Sequence, residues 1–227
     1  MDINNSDSRH VTAPFMVLTL LFCVCLIVAN LVEIKTVDIG FATVTAGMAV
    51  FPISYIINDC IVEVYGFRRA RMVIWLGFMA NLLVTLILQL AIALPGDASW
   101  HGQEAMEAIY GGVPRILAAS FVAFVCGSMV NALVMSRMKV MSGGRHFSVR
   151  AIVSTLLGEG ADSVLFFPIA FGGVLQWDVI LELIVAQTAL KTAYEILILP
   201  VTVRVVKRVK RIESIDVFDR GISYSWW

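Results

Sequence analysis

Six long apolar runs alternate with shorter polar connections along the chain. They are approximately Phe15–Val32, Val44–Val64, Met72–Leu94, Val113–Met135, Val149–Val174 and Val179–Val203. Each is close to the length of about 20 apolar residues that an α-helix needs to cross the hydrocarbon core of a bilayer. The pattern predicts an all-α bundle of six transmembrane helices, with residues 1–227 forming a single integral-membrane domain. The polar N-terminus has neither the basic segment nor the small-residue cleavage site of a signal peptide, so we expect the first run to remain a membrane helix.

The basic residues of the connections predict an orientation for these helices. Most of them flank the second and fourth connections or lie in the C-terminal tail, whereas the other connections carry only Lys35 and Arg115. Lys and Arg are enriched in cytoplasmic loops. With six spans all the basic connections fall on one side of the membrane, and five or seven spans would scatter them. We therefore expect a multi-pass protein of the cell inner membrane with both termini in the cytoplasm.

The composition narrows the classes of function. Hydrophobic residues make up 59% of the chain and charged residues 15%, which is more apolar than a soluble core of this length can bury. The formal net charge is zero, so no nucleic-acid partner is expected. The four cysteines lack metal-ligand spacing, and the sequence has neither a HExxH nor a GxSxG motif. We therefore predict no cofactor, no metal and no enzymatic activity.

Ionisable side chains lie inside three of the predicted helices. Such groups are costly in a bilayer and normally face a cavity or a partner. Helix two carries Tyr55, Asp59 and Glu63, helix five carries Glu159 and Asp162, and helix six carries Gln187, Lys191 and Glu195, each set on one helical face. The predicted depths overlap from the midplane to the inner half, with Asp162 and Lys191 as the expected ion pair. Five carboxylates against one ammonium favour a cation, protons or a ligand edge rich in N–H donors, such as that of guanine.

Several of these residues also have structural interpretations. Glu63 could cap the inner end of helix two and meet Arg68, and the pair of Asp162 and Lys191 could be purely structural. Pro52 and Pro168 are predicted to kink helices two and five. The longest external connection contains Trp100 and Tyr110 and is expected to form an amphipathic segment at the membrane interface.

Four motifs carry a resemblance to a known family. They are FPISYIINDCIVEVYGFRRAR, RILAASFVAFVCGSMVNALVMSRMK, STLLGEGADSVLFFPIAF and QTALKTAYEILILP. In this order they resemble the VUT (YhhQ-type) family of queuosine precursor transporters. The resemblance implies uptake of a 7-deazaguanine base, namely preQ0, preQ1 or queuine. It also implies that Asn58 joins the acidic residues in the site, and that Arg115 acts at the outer mouth as a substrate contact, a gate or a headgroup anchor.

The sequence thus predicts transmembrane uptake of a 7-deazaguanine through an acidic midplane cavity. The expected substrate-binding residues are Tyr55, Asn58, Asp59, Glu63, Arg115, Glu159, Asp162, Gln187, Lys191 and Glu195. The expected partners are this small molecule and the lipid bilayer, and the small residues of helices three to five would permit a homodimer. One alternative is the substrate-binding subunit of a multi-component vitamin importer, which would need an ATPase partner. Another is a membrane scaffold or regulator without cargo, which would leave the convergent acidic residues unexplained.

Overall fold

The computed structural model describes residues 11–32, 35–38, 43–97, 99–111 and 114–225. Within these ranges the chain forms seven α-helices and one short antiparallel strand pair. The helices are α1 (Ala13–Val32), α2 (Phe51–Tyr65), α3 (Phe67–Ala93), α4 (Gln103–Tyr110), α5 (Pro114–Met141), α6 (Phe147–Phe171) and α7 (Trp177–Glu213), and the strands are β1 (Thr36–Asp38) and β2 (Thr43–Thr45). A single 3-10 turn, Ala46–Ala49, leads from β2 towards α2.

Five helical segments are long and apolar enough to cross a membrane. They are Ala13–Val32, Ala46–Tyr65, Phe67–Ala93, Ala118–Met141 and Phe147–Phe171. Large apolar side chains on α1 and α3, among them Leu20, Leu83 and Leu90, remain exposed on the outside of the bundle. An exposed apolar surface of this extent indicates contact with lipid. The chain is therefore an almost entirely helical, multi-pass membrane protein.

Several predicted helix boundaries are wrong, because hydropathy marks the apolar part of a helix and not its hydrogen-bonded ends. The second helix begins at Phe51 and not at Val44, which lies in β2. The third begins at Phe67 and not at Met72, since its first turns carry arginines. The last continues ten residues past Val203 to Glu213.

The prediction of a kink at Pro52 is also wrong. Pro52 occupies the first turn of α2, where a missing N–H breaks no intrahelical hydrogen bond. Pro168 does lie inside α6, which ends three residues later at Phe171. The segment around Trp100 and Tyr110, which the sequence predicts to be external, contains the eight-residue helix α4, none of whose residues is buried.

Helix α2 is the central element of the bundle. Of its 15 residues, all but Phe51, Ile53 and Ile56 are buried. It contacts α1, α3, α5 and α7, so its polar side chains are enclosed by other helices and do not face lipid. This burial explains why a membrane helix can carry a tyrosine, an asparagine and two carboxylates.

Helices α5 and α6 pack against each other through two glycines. A Cβ on Gly158 would lie 2.7 Å from the Asn131 Cβ and 2.9 Å from the Gly127 carbonyl oxygen. A Cβ on Gly127 would meet the Tyr55 hydroxyl at 2.6 Å. Small residues at such contacts let membrane helices approach closely. Here the approach brings α6 against the polar face of α2.

The connections rich in arginine and lysine meet at one end of the bundle, which we call the basic end. There α2 and α3 are joined by the single residue Gly66, whose φ of 83° favours glycine. The C-terminal tail, residues 214–225, folds back over this turn. The Val217 N–H donates to the Val64 carbonyl, and the Asp219 carboxylate accepts from the first N–H of α3 at Phe67. A Cβ on Gly66 would lie 2.7 Å from Asp219, so the turn and the tail fit only without a side chain there.

Candidate functional site

Two carboxylates of α6 and one lysine of α7 form the first part of the site, the Lys191 site. Glu159 and Asp162 lie on one face of α6, and the Lys191 Nζ is 2.9 Å from Glu159 Oε2 and 3.4 Å from Asp162 Oδ2. The predicted ion pair of Asp162 and Lys191 is confirmed, with Glu159 as a closer second partner. The Glu159 side chain is 1% exposed, whereas Asp162 and Lys191 keep 11% and 13%. The site is therefore nearly closed, with its residual opening at Asp162 and Lys191.

Two aromatic residues of α2 border the Lys191 site. The Lys191 Nζ lies 4.4 Å from the centroid of the Phe51 ring, which is a cation–π contact. Tyr55 is buried, and its hydroxyl flanks Gly127 together with the Asp162 side chain. Ser128 lies next to that hydroxyl, but no described residue gives it a hydrogen bond of good geometry. It is a donor and acceptor available to a bound molecule.

The second part of the site is a pair of carboxyl groups, Asp59 of α2 and Glu195 of α7, which we call the paired carboxyls. They lie next to each other and are 0% and 1% exposed. Asn131 and Thr155 line the same space, but within the described part of the chain none of the four carboxyl oxygens has a hydrogen-bond partner of good geometry. Unsatisfied buried acceptors are uncommon in native proteins and mark a place where a proton, water or ligand belongs.

Asn58 fixes the amide of Asn131 beside the paired carboxyls. The Asn58 Nδ2 donates to the Asn131 Oδ1 at 2.8 Å, and the Asn131 Nδ2 then points to the Thr155 hydroxyl at 3.4 Å. The Asn58 Oδ1 is itself buried and has no hydrogen-bond partner among the described residues. Asn58, which the family resemblance added to the expected site, thus lies beside the paired carboxyls through Asn131.

Glu63 is separated from this site by its own set of partners, the Glu63 cluster. Arg150 donates to both carboxylate oxygens at 2.5 and 3.1 Å, and the Lys210 Nζ lies 2.6 Å from Oε1. The buried Lys139 donates to the Glu63 carbonyl and to Asp216 of the tail. Glu63 therefore joins four elements at the basic end, with Arg150 and Lys210 in place of the expected Arg68.

Asp216 extends this cluster to the surface. Its Oδ1 lies 2.5 Å from Lys139 Nζ and 2.9 Å from Lys210 Nζ, while its side chain is 44% exposed. Partial burial alone would raise the pKa of Asp216, but the hydrogen bonds and charges of Lys139 and Lys210 outweigh it and hold the pKa below its ordinary value.

A match to a family model decides the class of protein. The model described as "Putative vitamin uptake transporter" matches residues 45–205, which is most of the chain. The chain belongs to this family. The matched range includes the Lys191 site and the paired carboxyls, whereas Lys210 and Asp216 of the Glu63 cluster lie beyond it.

Three curated relatives of this vitamin uptake transporter family member are similar over much of their length. A protein of Bacillus subtilis named "Probable queuosine precursor transporter" is 30% identical over 173 residues, 76% of either chain. The "Queuosine precursor transporter" of Escherichia coli is 30% identical over 62% of this chain and 61% of its own. The "Probable queuosine precursor transporter" of Haemophilus influenzae is 28% identical over 56% of this chain and 52% of its own. No solved structure matches the chain.

Two predicted site residues of the family member are not joined to the acidic groups by described contacts. Gln187 is half-buried one turn before Lys191 on α7. The backbone of Arg115 lies in the first turn of α5, and its side chain is outside the described residues. Both therefore stay predictions.

Sequence reasoning missed the cationic partners of Glu63. These partners are Lys139, Arg150 and Lys210, and they lie in regions where the positive-inside rule expects basic residues. The rule does not distinguish a basic side chain that points into the bundle from one that is solvated. The available signal was in the tail, where Asp216 and Asp219 interrupt a basic segment. Acidic residues beside so many cations indicate specific partners.

Proposed function

We propose that this protein carries a queuosine precursor, a 7-deazaguanine base, across the cell inner membrane through the polar interior between α2, α6 and α7. Support comes from the relatives, whose names describe transport of queuosine precursors, and from the four motifs that carry the same resemblance. The protein acts as a transporter and not as an enzyme in this proposal.

The observation that carries the substrate class is the excess of buried oxygen acceptors over hydrogen-bond donors around the Lys191 site. Tyr55 and Glu159 supply buried hydroxyl and carboxyl oxygens next to Asp162, and among the described residues Lys191 is the cation that contacts these carboxylates. A guanine-like edge presents a ring N–H and an exocyclic amine. Charge-assisted hydrogen bonds from these donors to a carboxylate are about twice as strong as neutral ones.

Geometry supports Glu159 and Asp162 as the main substrate contacts. Asp162 lies at the residual opening of the site and Glu159 is buried next to it, and the Phe51 ring, on which a planar base can stack, borders the same lysine. Lys191 contacts both carboxylates and balances one of their two negative charges until the ligand arrives. Since the side chains are nearly closed off, the helices must separate slightly for the base to enter.

The remaining predicted contacts take secondary places in this proposal. Asn58 lines the wall, Gln187 lies one turn further along α7, and Arg115 acts at the opposite mouth. Glu63 does not contact the substrate in this proposal, because its carboxylate already binds Arg150 and Lys210. Its cluster closes the basic end.

We further propose six spans with both termini in the cytoplasm. The sixth span is α7, whose 37 residues extend for about 55 Å, more than the thickness of the hydrocarbon core. Its central charges, Lys191 and Glu195, face the bundle interior and so are not placed in lipid. The shared position of the basic connections and the C-terminal tail agrees with a cytoplasmic basic end.

Ligand-induced thermal stabilisation of the detergent-purified protein tests the substrate class. We expect stabilisation by at least one of preQ0, preQ1 and queuine, and none by an unrelated vitamin. Glu159→Gln should weaken that binding roughly 10- to 100-fold, because a hydrogen bond to a charged group contributes about 1.5–3 kcal/mol. Glu182→Gln, at an exposed position of the same membrane protein, is the matched control.

A folded, monodisperse sample that none of these bases stabilises would contradict the proposal. Copurification of a stoichiometric ATPase, with uptake only in its presence, would instead support the multi-component vitamin importer.

A further inference from the structure

The paired carboxyls have no cation of their own. The two lysines of α7 that take part in buried ion pairs have other partners, since Lys191 is held by Glu159 and Asp162, and Lys210 by Glu63 and Asp216. No ion pair joins Asp59 or Glu195 to a basic residue within the described ranges. Two adjacent ionised carboxylates at 0% and 1% exposure would carry an uncompensated double charge, whose burial is prohibitively costly. At least one oxygen of the pair must therefore carry a proton.

The groups facing the pair do not change this conclusion. From α2 the neighbouring titratable side chains are Tyr55, Cys60 and Glu63, which are neutral or acidic. From α6 the facing group is Glu159, another carboxylate. The nearest groups of α5 and α6 that could donate are the neutral Asn131 amide and the Thr155 hydroxyl. A neutral donor can orient the pair but cannot balance its charge.

The position of the pair connects it to the substrate site and to the basic end. Glu195 lies one turn from Lys191 on α7, and Asp59 lies one turn from Glu63 on α2, an axial distance of about 6 Å in each case. A gain or loss of one proton at the pair therefore changes the electrostatic environment of Lys191 in the substrate site. It also changes that of the Glu63 carboxylate at the basic end. This arrangement can link protonation to substrate affinity, and such a linkage is reciprocal.

We propose that Asp59 and Glu195 form a proton-binding site that couples substrate uptake to proton entry. The inference rests on the proposed function, because it describes what drives that transport. One proton binds to a carboxylate oxygen of the pair from the outer side and is released to water at the basic end. The O–H bond formed in the first step is the bond broken in the last, and no redox partner is needed.

The test uses purified protein in liposomes with the membrane potential clamped and preQ0, the uncharged precursor, as the probe. With the outside acidic, we expect wild-type protein to accumulate preQ0 in the lumen, by about tenfold for each unit of pH difference at one proton per substrate. A trapped pH-sensitive dye should report acidification of the lumen when preQ0 is added. Glu182→Gln, outside the site, should behave like wild type.

In Asp59→Asn and Glu195→Gln, the remaining uptake should no longer respond to the gradient, and binding of preQ0 should no longer vary with pH. A merely structural role would lower binding or yield without removing the pH response. Variants that respond to the gradient like wild type would overturn the proposal. So would variants that bind no preQ0 at any pH, since both residues would then be substrate contacts.

The wild-type result separates this inference from the proposed function. Exchange of preQ0 without any gradient effect would overturn the proton site and leave transport standing. Absence of both binding and exchange for every precursor would overturn both.

Discussion

The buried carboxylate of Glu63 joins four elements through charged contacts. Arg150 binds it with two hydrogen bonds, and Lys210 and Lys139 approach it from α7 and α5. Removing one member of a buried ion pair leaves the others charged, desolvated and unpaired. The fold therefore depends on this side chain more than on most others of its size.

We expect Glu63→Gln to lower stability by about 3–5 kcal/mol, the cost typical of a broken buried ion pair. The apparent melting temperature in detergent, followed by intrinsic fluorescence, measures the effect. Glu182→Gln, exposed on α7, should change it little. Equal melting temperatures for Glu63→Gln and wild type would show that the cluster contributes no net stability.

Asp216 makes the contribution of the basic end to the stability of the fold depend on pH. Its pKa is lower in the folded protein than its ordinary value of about 4, so its ion pairs stabilise the fold at pH values above that value. The contribution disappears as the pH falls through the lower folded-state pKa. We expect wild type to melt above Asp216→Asn at pH 7 and pH 5, with the difference closing towards pH 3. A difference as large at pH 3 as at pH 5 would contradict this assignment.

At the scale of elements, the contact between α5 and α6 decides where the carboxylates of α6 lie. Gly158 and Gly127 meet backbone to backbone, whereas an added Cβ on Gly160, two residues along the same helix, would meet nothing within 4 Å. The two glycines of α6 thus offer the same substitution with opposite structural consequences.

We expect Gly158→Ala to separate α5 from α6, lower the melting temperature and abolish transport, because the new Cβ would collide with backbone and with Asn131. Gly160→Ala should leave transport intact and raise stability slightly, since alanine is favoured over glycine in a helix by about 1 kcal/mol. Uptake and melting temperature of the two variants are measured side by side. Equal behaviour would mean that close packing at Gly158 does not shape the site.

The helices also show what the sequence could and could not predict. Apolar length identified the long helices, and i, i+3 and i, i+4 spacing identified the polar faces that meet at Lys191. The predicted start of α2 is wrong because the hydropathy of Val44 does not distinguish a strand residue from a helical one. Hydropathy carries no information about tertiary partners, so Arg150 as the partner of Glu63 could not be predicted. For the tail, the acidic residues Asp216 and Asp219 among the cations indicated specific partners but not which ones.

For the whole molecule, the arrangement of basic residues predicts the orientation in the membrane. The tail contacts the end of α2 and the ends of α5 and α7, so these segments all lie on the same side of the membrane. Ser99 lies in the connection before α4, towards the other end of α3.

Cysteine labelling in intact cells measures this orientation, starting from a variant without Cys23, Cys25, Cys60 and Cys126. We expect Ser99→Cys to react with a membrane-impermeant maleimide added outside. Ser142→Cys and Ser214→Cys should react only after the membrane is permeabilised. Labelling of Ser142→Cys and Ser214→Cys in intact cells would place the basic end outside and reverse the proposed topology.

Counterflow in proteoliposomes tests transport itself most directly. Liposomes containing the protein are loaded with an unlabelled queuosine precursor, and labelled precursor is added outside at low concentration without a pH gradient. We expect a saturable, transient overshoot of label inside with wild type and with Glu182→Gln, and none with the Glu159→Gln, Asp162→Asn double variant. Folded wild-type protein that gives no overshoot with preQ0, preQ1 or queuine would contradict the account.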